Sequence, residues 1–229
     1  MERRRGRASK LDRSGRPAAP PHAVSAEWLG ERLSDPAREL GVELSGASIA
    51  PLARFAGLVL DWGTRVNLTG ARSREAIADD HFADALALLP HLPRHAFRFV
   101  DVGSGAGFPG LLIALLRPDA SGVLLEPTRK KQAFLVRAIR ELGLGERIEA
   151  RAERLEEHLA RGAVALYDLA VSRAAWPASR WVEVGMPLLR AGGVILGVEG
   201  AQSGALPAGA ERHPYRLHGR SRSVVSRRR

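Results

Sequence analysis

The stretch that most restricts the fold of this chain is "FRFVDVGSGAGFPGLLIALL", Phe97 to Leu116. A short apolar run, a cluster of glycines and a longer apolar run read as a buried strand, a tight turn and a helix. Gly103, Gly105, Gly107 and Gly110 crowd that turn. Glycine lets the backbone turn sharply and approach a ligand closely. In an open α/β sheet, the first strand-to-helix turn lies at the edge where ligands bind. "GAGFPG" also satisfies the G-x-G-x-x-G pattern of dinucleotide sites. Glu126, 23 residues after Gly103, stands at the end of the next expected strand, where a carboxylate can accept both hydroxyl protons of a ribose. An adenosine-containing cofactor follows. If the glycines served helix packing alone, one or two would suffice.

Asp101 separates two cofactor classes. A dinucleotide brings a pyrophosphate to this turn, and a carboxylate two residues before the first glycine opposes it electrostatically. Pro109 also withdraws an N–H from the helix start, where a phosphate wants donors. S-adenosylmethionine has no phosphate; it carries an ammonium and a sulfonium, both favoured by a nearby carboxylate. The D-x-G-x-G-x-G arrangement therefore favours a methyl donor. An NAD(P)-binding oxidoreductase is the enzyme alternative.

Beyond this loop the chain alternates strand and helix: "SGVLLE", "RKKQAFLVRAIRELG", "RIEARA", "ERLEEHLA", "YDLAVSRA", "ASRWVEVGMPLLRAGG" and "GVILGVEG". Such alternation predicts a mainly parallel sheet with helices on both faces. Upstream, Ser25 caps a helix to about Leu40, "SGASIAPLARFAGLVLDWG" has helical spacing, and "REAIADDHFADALALLPHL" is helix stopped by Pro90 and Pro93. Four regions result: a basic disordered tail at 1–24, a helical N-terminal segment at 25–96, a cofactor-binding core at 97–216 and a basic tail at 217–229. The end, "ERHPYRLHGRSRSVVSRRR", carries only a weak pattern for a final antiparallel strand pair.

With 229 residues and 45% hydrophobic content, the chain can build one packed domain. It has no cysteine, which excludes disulfides, thiolate metal sites and cysteine nucleophiles. Its apolar runs are too short to span a bilayer, and a secretory signal pattern is not seen. A soluble, cytoplasmic monomer with no membrane partner is expected. The formal charge of +10 is concentrated: residues 1–24 carry +5 and residues 211–229 carry +6, leaving −1 for the rest. Basic ends engage phosphates by counterion release, or are simply solvated extensions. If they engage RNA, deleting 1–24 or 217–229 weakens RNA binding and flattens its salt dependence.

"DVGSGAGFPGLLIALLRPD", "LLEPTRKKQAFLVRAIRELGL", "RAERLEE" and "VSRA" together resemble the RsmG (GidB) family of 16S ribosomal RNA guanine-N7 methyltransferases. "WGTRVNLTG" and "HFADALAL" are similar to that family's helical N-terminal segment, so the resemblance spans roughly residues 45–200. It implies a Rossmann-like class I methyltransferase fold, S-adenosyl-L-methionine as cofactor, and small-subunit ribosomal RNA or the small ribosomal subunit as partner. It places the cofactor at Gly103, Gly105 and Phe108, its ribose on Glu126, its adenine beside Ala152 and Glu153 with backbone groups reading its edge, and Arg173 in the methyl-transfer pocket. Arg129, Lys130 and Lys131 become RNA-binding candidates; by themselves they read equally as a solvated helix face. The competing role for Arg173 is a salt bridge to a neighbouring acid. Glu199 departs from the family, which commonly has Lys there. With the basic tails, that departure motivates a third reading: a non-catalytic RNA-binding protein on a methyltransferase fold.

Absent residues narrow the chemistry. Pyrimidine carbon-five methylation usually needs a cysteine, and exocyclic-amine methylation commonly an Asp/Asn-Pro-Pro-aromatic loop. This chain has no cysteine, and "SRAAWP" follows its fourth expected core strand. Guanine N7 is an unprotonated lone pair, so its attack on a methyl group needs no general base. Alignment and electrostatic stabilisation suffice, and no catalytic acid or base is assigned. His81 and Asp84 share a helical face but lack further ligands for a metal; a helix-to-sheet hydrogen bond is the expected role. Trp62, Trp176 and Trp181 read as packing residues, and Asn67 and Thr69 as turn chemistry.

Overall fold

The computed structural model describes residues 22–200 and 204–229. The expected tail at 1–24 falls almost wholly outside the described residues. Helix α1 spans Ala26–Glu39 and α2 spans Gly46–Gly63. The Ser25 and Ser45 side chains cap them by accepting from Trp28 N and Ser48 N. Each such cap contributes about 1 kcal/mol. Ser73 caps α3, Arg74–Ile77, in the same way. The single helix expected next is broken: α3 passes through a π-helical turn, Ala78–Phe82, into α4, Ala83–Leu86, and a 3-10 turn, Leu89–His91. Leu29, Leu33, Phe55, Phe82 and Leu86 are fully buried where these helices meet the sheet.

The strands are β1 Phe97–Val102, β2 Ala120–Leu125, β3 Ile148–Arg151, β4 Tyr167–Arg173, β5 Leu189–Glu199, β6 Ala210–Leu217 and β7 Arg220–Arg228, in the order β3-β2-β1-β4-β5-β7-β6. The first five run parallel, and β7 enters antiparallel to both neighbours. Helices α5 Gly110–Leu116, α6 Arg129–Glu141, α7 Leu155–Ala160 and α8 Ala178–Val184 connect them. The expected mainly parallel sheet, helices on both faces and helical N-terminal segment are all present. Successive strand residues face opposite layers. Phe99, Leu124, Leu169 and Leu196 join the core under α5, α6 and the N-terminal helices, while Val100, Ala170 and Ile195 join that under α7 and α8. The strand order reverses between β1 and β4, and the crevice at such a point, at the carboxyl ends of the strands, is where open α/β sheets bind ligands.

Two expectations are corrected. Helix α8 stops at Val184 rather than running to Gly193, and β5 already begins at Leu189. Gly185 sits so close under Trp181 and Ile195 that an added Cβ would lie 2.5 Å from Ile195 Cδ1. The chain turns there, and a register shift between Tyr167 and Leu169 absorbs the extra residues of β5. Second, residues 217–229 are not a tail. They hold the last residue of β6 and all of β7, which lies between β5 and β6 with Val224 and Val225 buried. Two apolar residues among arginines gave a weak signal, yet the central position comes from neighbours on both sides. The weakly patterned antiparallel pair is therefore real, and the core extends to Arg228.

Candidate functional site

The glycine loop leaves β1 at the sheet's carboxyl edge. Gly103 and Ser104 donate N–H bonds to Leu125 O at 2.9 and 3.0 Å, tying the loop to β2. Gly103, Gly105 and Gly107 have φ of +76°, +55° and +89°, a region that disfavours other residues. Their tasks differ. A Cβ on Gly107 would lie 2.5 Å from Leu111 Cδ1, and one on Gly110 would collide with Leu124 and Asp101. Packing explains both. One on Gly103 would lie 2.9 Å from Ala175 Cβ, in the loop after β4. At Gly105 the nearest atom would be Gly103 O at 3.9 Å. Gly105 thus turns an open face outward, and packing does not account for it.

Glu126 stands beside that face, 5% exposed. Its Oε2 accepts from Gly105 N at 3.0 Å and its Oε1 from Thr128 N at 2.8 Å. One carboxylate joins the glycine loop to the start of α6, and each oxygen keeps a second lone pair. Such a group fits a vicinal diol.

Asp101 is fully buried; its Oδ2 accepts from Gly110 N at 2.9 Å, and its Oδ1 has no partner among the described residues. Burial pushes its carboxyl up to about 7, against the lowering effects of the Gly110 N–H, the Ser104 hydroxyl and the Arg173 charge. It acts from behind the loop, through its field. A cation in front of the loop would offset the burial that holds it protonated; a pyrophosphate would raise it further. The loop therefore fits a cationic cofactor.

Arg173 ends β4 at the same edge and does have acidic company. Its Nη1 lies 3.7 Å from Asp84 Oδ2 and donates to Asp80 O at 3.2 Å, while its Nη2 lies 2.5 Å from His81 Nδ1. Burial lowers its pKa, opposed by Asp84 and Asp101. The helix-to-sheet role expected for His81 and Asp84 is thus present. Asp84, pushed up by burial, is held by Arg222 and by Tyr215 Oη at 3.0 Å. The Phe108 ring is buried in an aromatic cluster. Its centroid lies 4.7 Å from that of Phe55, 5.1 Å from Phe82 and 5.2 Å from His81. Its side chain fastens the loop to the N-terminal helices.

Ala152 and Glu153 follow β3 at the same edge. The Glu153 carboxylate is occupied: Oε1 lies 2.7 Å from His158 Nδ1, whose Nε2 lies 2.7 Å from Tyr167 Oη. Only backbone groups there remain for a ligand. Arg129 and Lys130 are exposed and Lys131 half-buried at the start of α6, and none pairs with an acid among the described residues. Glu199 pairs with Arg212 of β6, so its departure is absorbed within the sheet. Trp181 is buried with Nε1 donating to Leu196 O at 2.8 Å, and Trp176 stacks on it. Thr69 serves its expected turn, accepting from Ala71 N at 2.7 Å. Among the described residues, no group of three or more His, Asp or Glu could hold a metal. Sequence reading missed the Glu153–His158–Tyr167 chain and the partners of Asp84. Asp84, a carboxylate within the apolar run "ADALALL", was the signal for the second; the first left none, because the residues around Glu153 and His158 are mostly charged.

Comparison with known proteins follows the same lines. The family described as rRNA small subunit methyltransferase G matches residues 48–226. The ribosomal RNA small subunit methyltransferase G of Moorella thermoacetica is 37% identical over 166 residues, covering 71% of this chain and 68% of that protein. Its namesake in Anaeromyxobacter dehalogenans is 37% identical over 172 residues, covering 75% and 79%. That in Azoarcus sp. is 35% identical over 184 residues, covering 78% and 84%.

Proposed function

The chain belongs to the rRNA small subunit methyltransferase G family, and from that premise we propose that it methylates N7 of a guanine in 16S ribosomal RNA, using S-adenosyl-L-methionine. Its doubly wound sheet is the class I methyltransferase core. The observation that carries the cofactor reading is the pairing of the open Gly105 face with Glu126, in front of the buried Asp101.

The cofactor supplies an electrophilic methyl group on a sulfonium centre. Gly103 and Gly105 offer backbone without side-chain bulk, and Glu126 accepts from the ribose hydroxyls. Backbone groups of Ala152 and Glu153 border the adenine. Phe108 holds the loop in place from behind. Asp101 adds a field that favours positive charge, felt without contact. Arg173, fixed by His81, Asp80 and Asp84, lines the edge where the base enters. Guanine N7 already offers a lone pair, so no residue needs to remove a proton. Alignment and a fixed electrostatic environment do the work. Arg129, Lys130 and Lys131 open α6 beside Glu126, and in this reading they meet RNA phosphates. The protein acts as a monomer on cytoplasmic small subunits or their RNA; no helix among the described residues is long and apolar enough to cross a membrane.

The test is labelled methyl transfer to bacterial small subunits lacking the modification, with deproteinised RNA in parallel and nucleoside analysis afterwards. Labelled 7-methylguanosine is the expected product. Folded protein that binds the cofactor and labels neither substrate would overturn the reading.

A further inference from the structure

The hydrogen bonds from β4 into the helical segment have a direction, and the far end of that chain has no role in the function above. Arginine only donates. Because Arg173 Nη2 lies 2.5 Å from His81 Nδ1, that nitrogen is the acceptor and carries no proton. Burial, with the charges of Arg173 and Arg222, lowers the His81 imidazole to about 3. The ring is neutral at working pH, and its proton sits on Nε2. Nε2 lies 3.0 Å from Thr69 Oγ1 and therefore donates to it. Thr69 Oγ1 also accepts from Ala71 N at 2.7 Å. A hydroxyl has two lone pairs and one proton. Both lone pairs are committed, and the proton has no acceptor among the described residues. The ring between them is held flat on Phe108, with centroids 5.2 Å apart and planes 21° apart. The glycine loop, the end of β4 and the loop carrying Thr69 thus share one imidazole.

We propose that Thr69 is a specificity-determining donor, presenting its hydroxyl proton to the carbonyl oxygen of the substrate base, with His81 as the positioning residue that aims it. The proposal rests on the guanine-N7 reading. A guanine attacked at N7 carries O6, an acceptor, on the same edge, whereas adenine carries a donor amine there. A hydroxyl with both lone pairs consumed can only donate. It accepts guanine and confronts adenine with a second donor. Donor–acceptor mismatch of this kind discriminates more strongly than shape alone. No proton changes hands; the chain only fixes which way the hydroxyl points.

The experiment uses the full chain, labelled S-adenosylmethionine, and small subunits reconstituted with guanine or 2-aminopurine at the mapped target. 2-Aminopurine keeps N7 and lacks O6. Wild type is expected to lose about tenfold in kcat/KM on 2-aminopurine, the scale of one directed hydrogen bond. Thr69→Val should lose about as much on guanine and show no further loss on 2-aminopurine, with cofactor affinity unchanged. Thr69→Ser should restore both the rate and the discrimination. His81→Asn keeps an acceptor near Arg173 and removes the Nε2 donor; it should bind cofactor and lose the discrimination. Equal 2-aminopurine penalties in wild type and Thr69→Val, or an undiminished guanine rate in that variant, would overturn the proposal. Wild type forming no 7-methylguanosine would instead overturn the functional reading, and this proposal with it.

Discussion

At the scale of single residues, the site divides into groups whose role is local and groups whose surroundings are set by distant neighbours. Gly105 belongs to the first. A side chain there meets open space and bears only the strain of φ +55°, about 1 kcal/mol for Asp. Gly105→Asp should keep its thermal transition and lose cofactor binding in calorimetry; near-normal affinity would mean that no ligand uses that face. Asp101 shows both behaviours. Its effect on a cation was legible from position alone, but its burial and its bond to Gly110 were not. Its carboxyl titrates near 7 when folded, well above the ordinary aspartate range. The folded protein therefore holds a proton that the unfolded chain has released between about pH 4 and pH 7, and stability falls as pH rises through that window. Urea unfolding at pH 5 and pH 8 should show this fall in wild type and a smaller one in Asp101→Asn. Identical slopes would place the Asp101 titration elsewhere. Glu153, expected beside the adenine through its backbone, has a carboxylate that serves His158, a partner set by the path of α7.

At the scale of elements, local pattern predicted type well and extent less well. The strand β1 runs over the expected "FRFVDV", because its apolar run and its glycine stop lie within the strand and its turn. Helix α8 ended early because of a close approach between Gly185 and β5, a contact between elements. The β7 strand was nearly invisible, with its apolar pair surrounded by arginines. The structure gives several of those arginines partners. Arg222 pairs with buried Asp84 and Arg220 with Asp80, pinning the β6–β7 hairpin to the helical segment. Removing one partner of a buried pair is strongly destabilising, typically by about 3–5 kcal/mol. Asp84→Ala should lose stability on that scale in chemical denaturation, while a loss below about 1 kcal/mol would show the site to be well hydrated. Deleting residues 219–229 should abolish the cooperative thermal transition, not merely weaken RNA binding as a tail deletion would. A truncated chain with a wild-type melting curve would contradict the position of β7.

At the scale of the whole molecule, the +10 charge does not mark one surface. Part of it is paired within the chain, with Asp79 and Asp80 at the surface, with buried Asp84 and with Glu199. The cations proposed to meet RNA are Arg129, Lys130 and Lys131, at the start of α6 near the candidate site and unpaired among the described residues. Replacing all three with glutamine should weaken RNA binding and reduce the salt slope by up to about 3, roughly 1 for each phosphate no longer neutralised. An unchanged slope would make them a solvated helix face.

By itself the sequence determined the kinds and order of the core elements, the glycine loop and the carboxylate of Glu126. These rest on periodicity, backbone permissiveness and spacing, all expressed within one or two elements. Only the tertiary structure decided that the basic C-terminal residues form an inner strand, that Asp101 is sealed behind the loop, and that Arg173, His81 and Thr69 join in one directed chain. Those outcomes depend on which segments topology brings together. Arg173 and His81 are 92 residues apart, and Arg222 and Asp84 are 138 apart. No local pattern encodes the partner of a buried charge, because that partner is chosen by where the sheet places it.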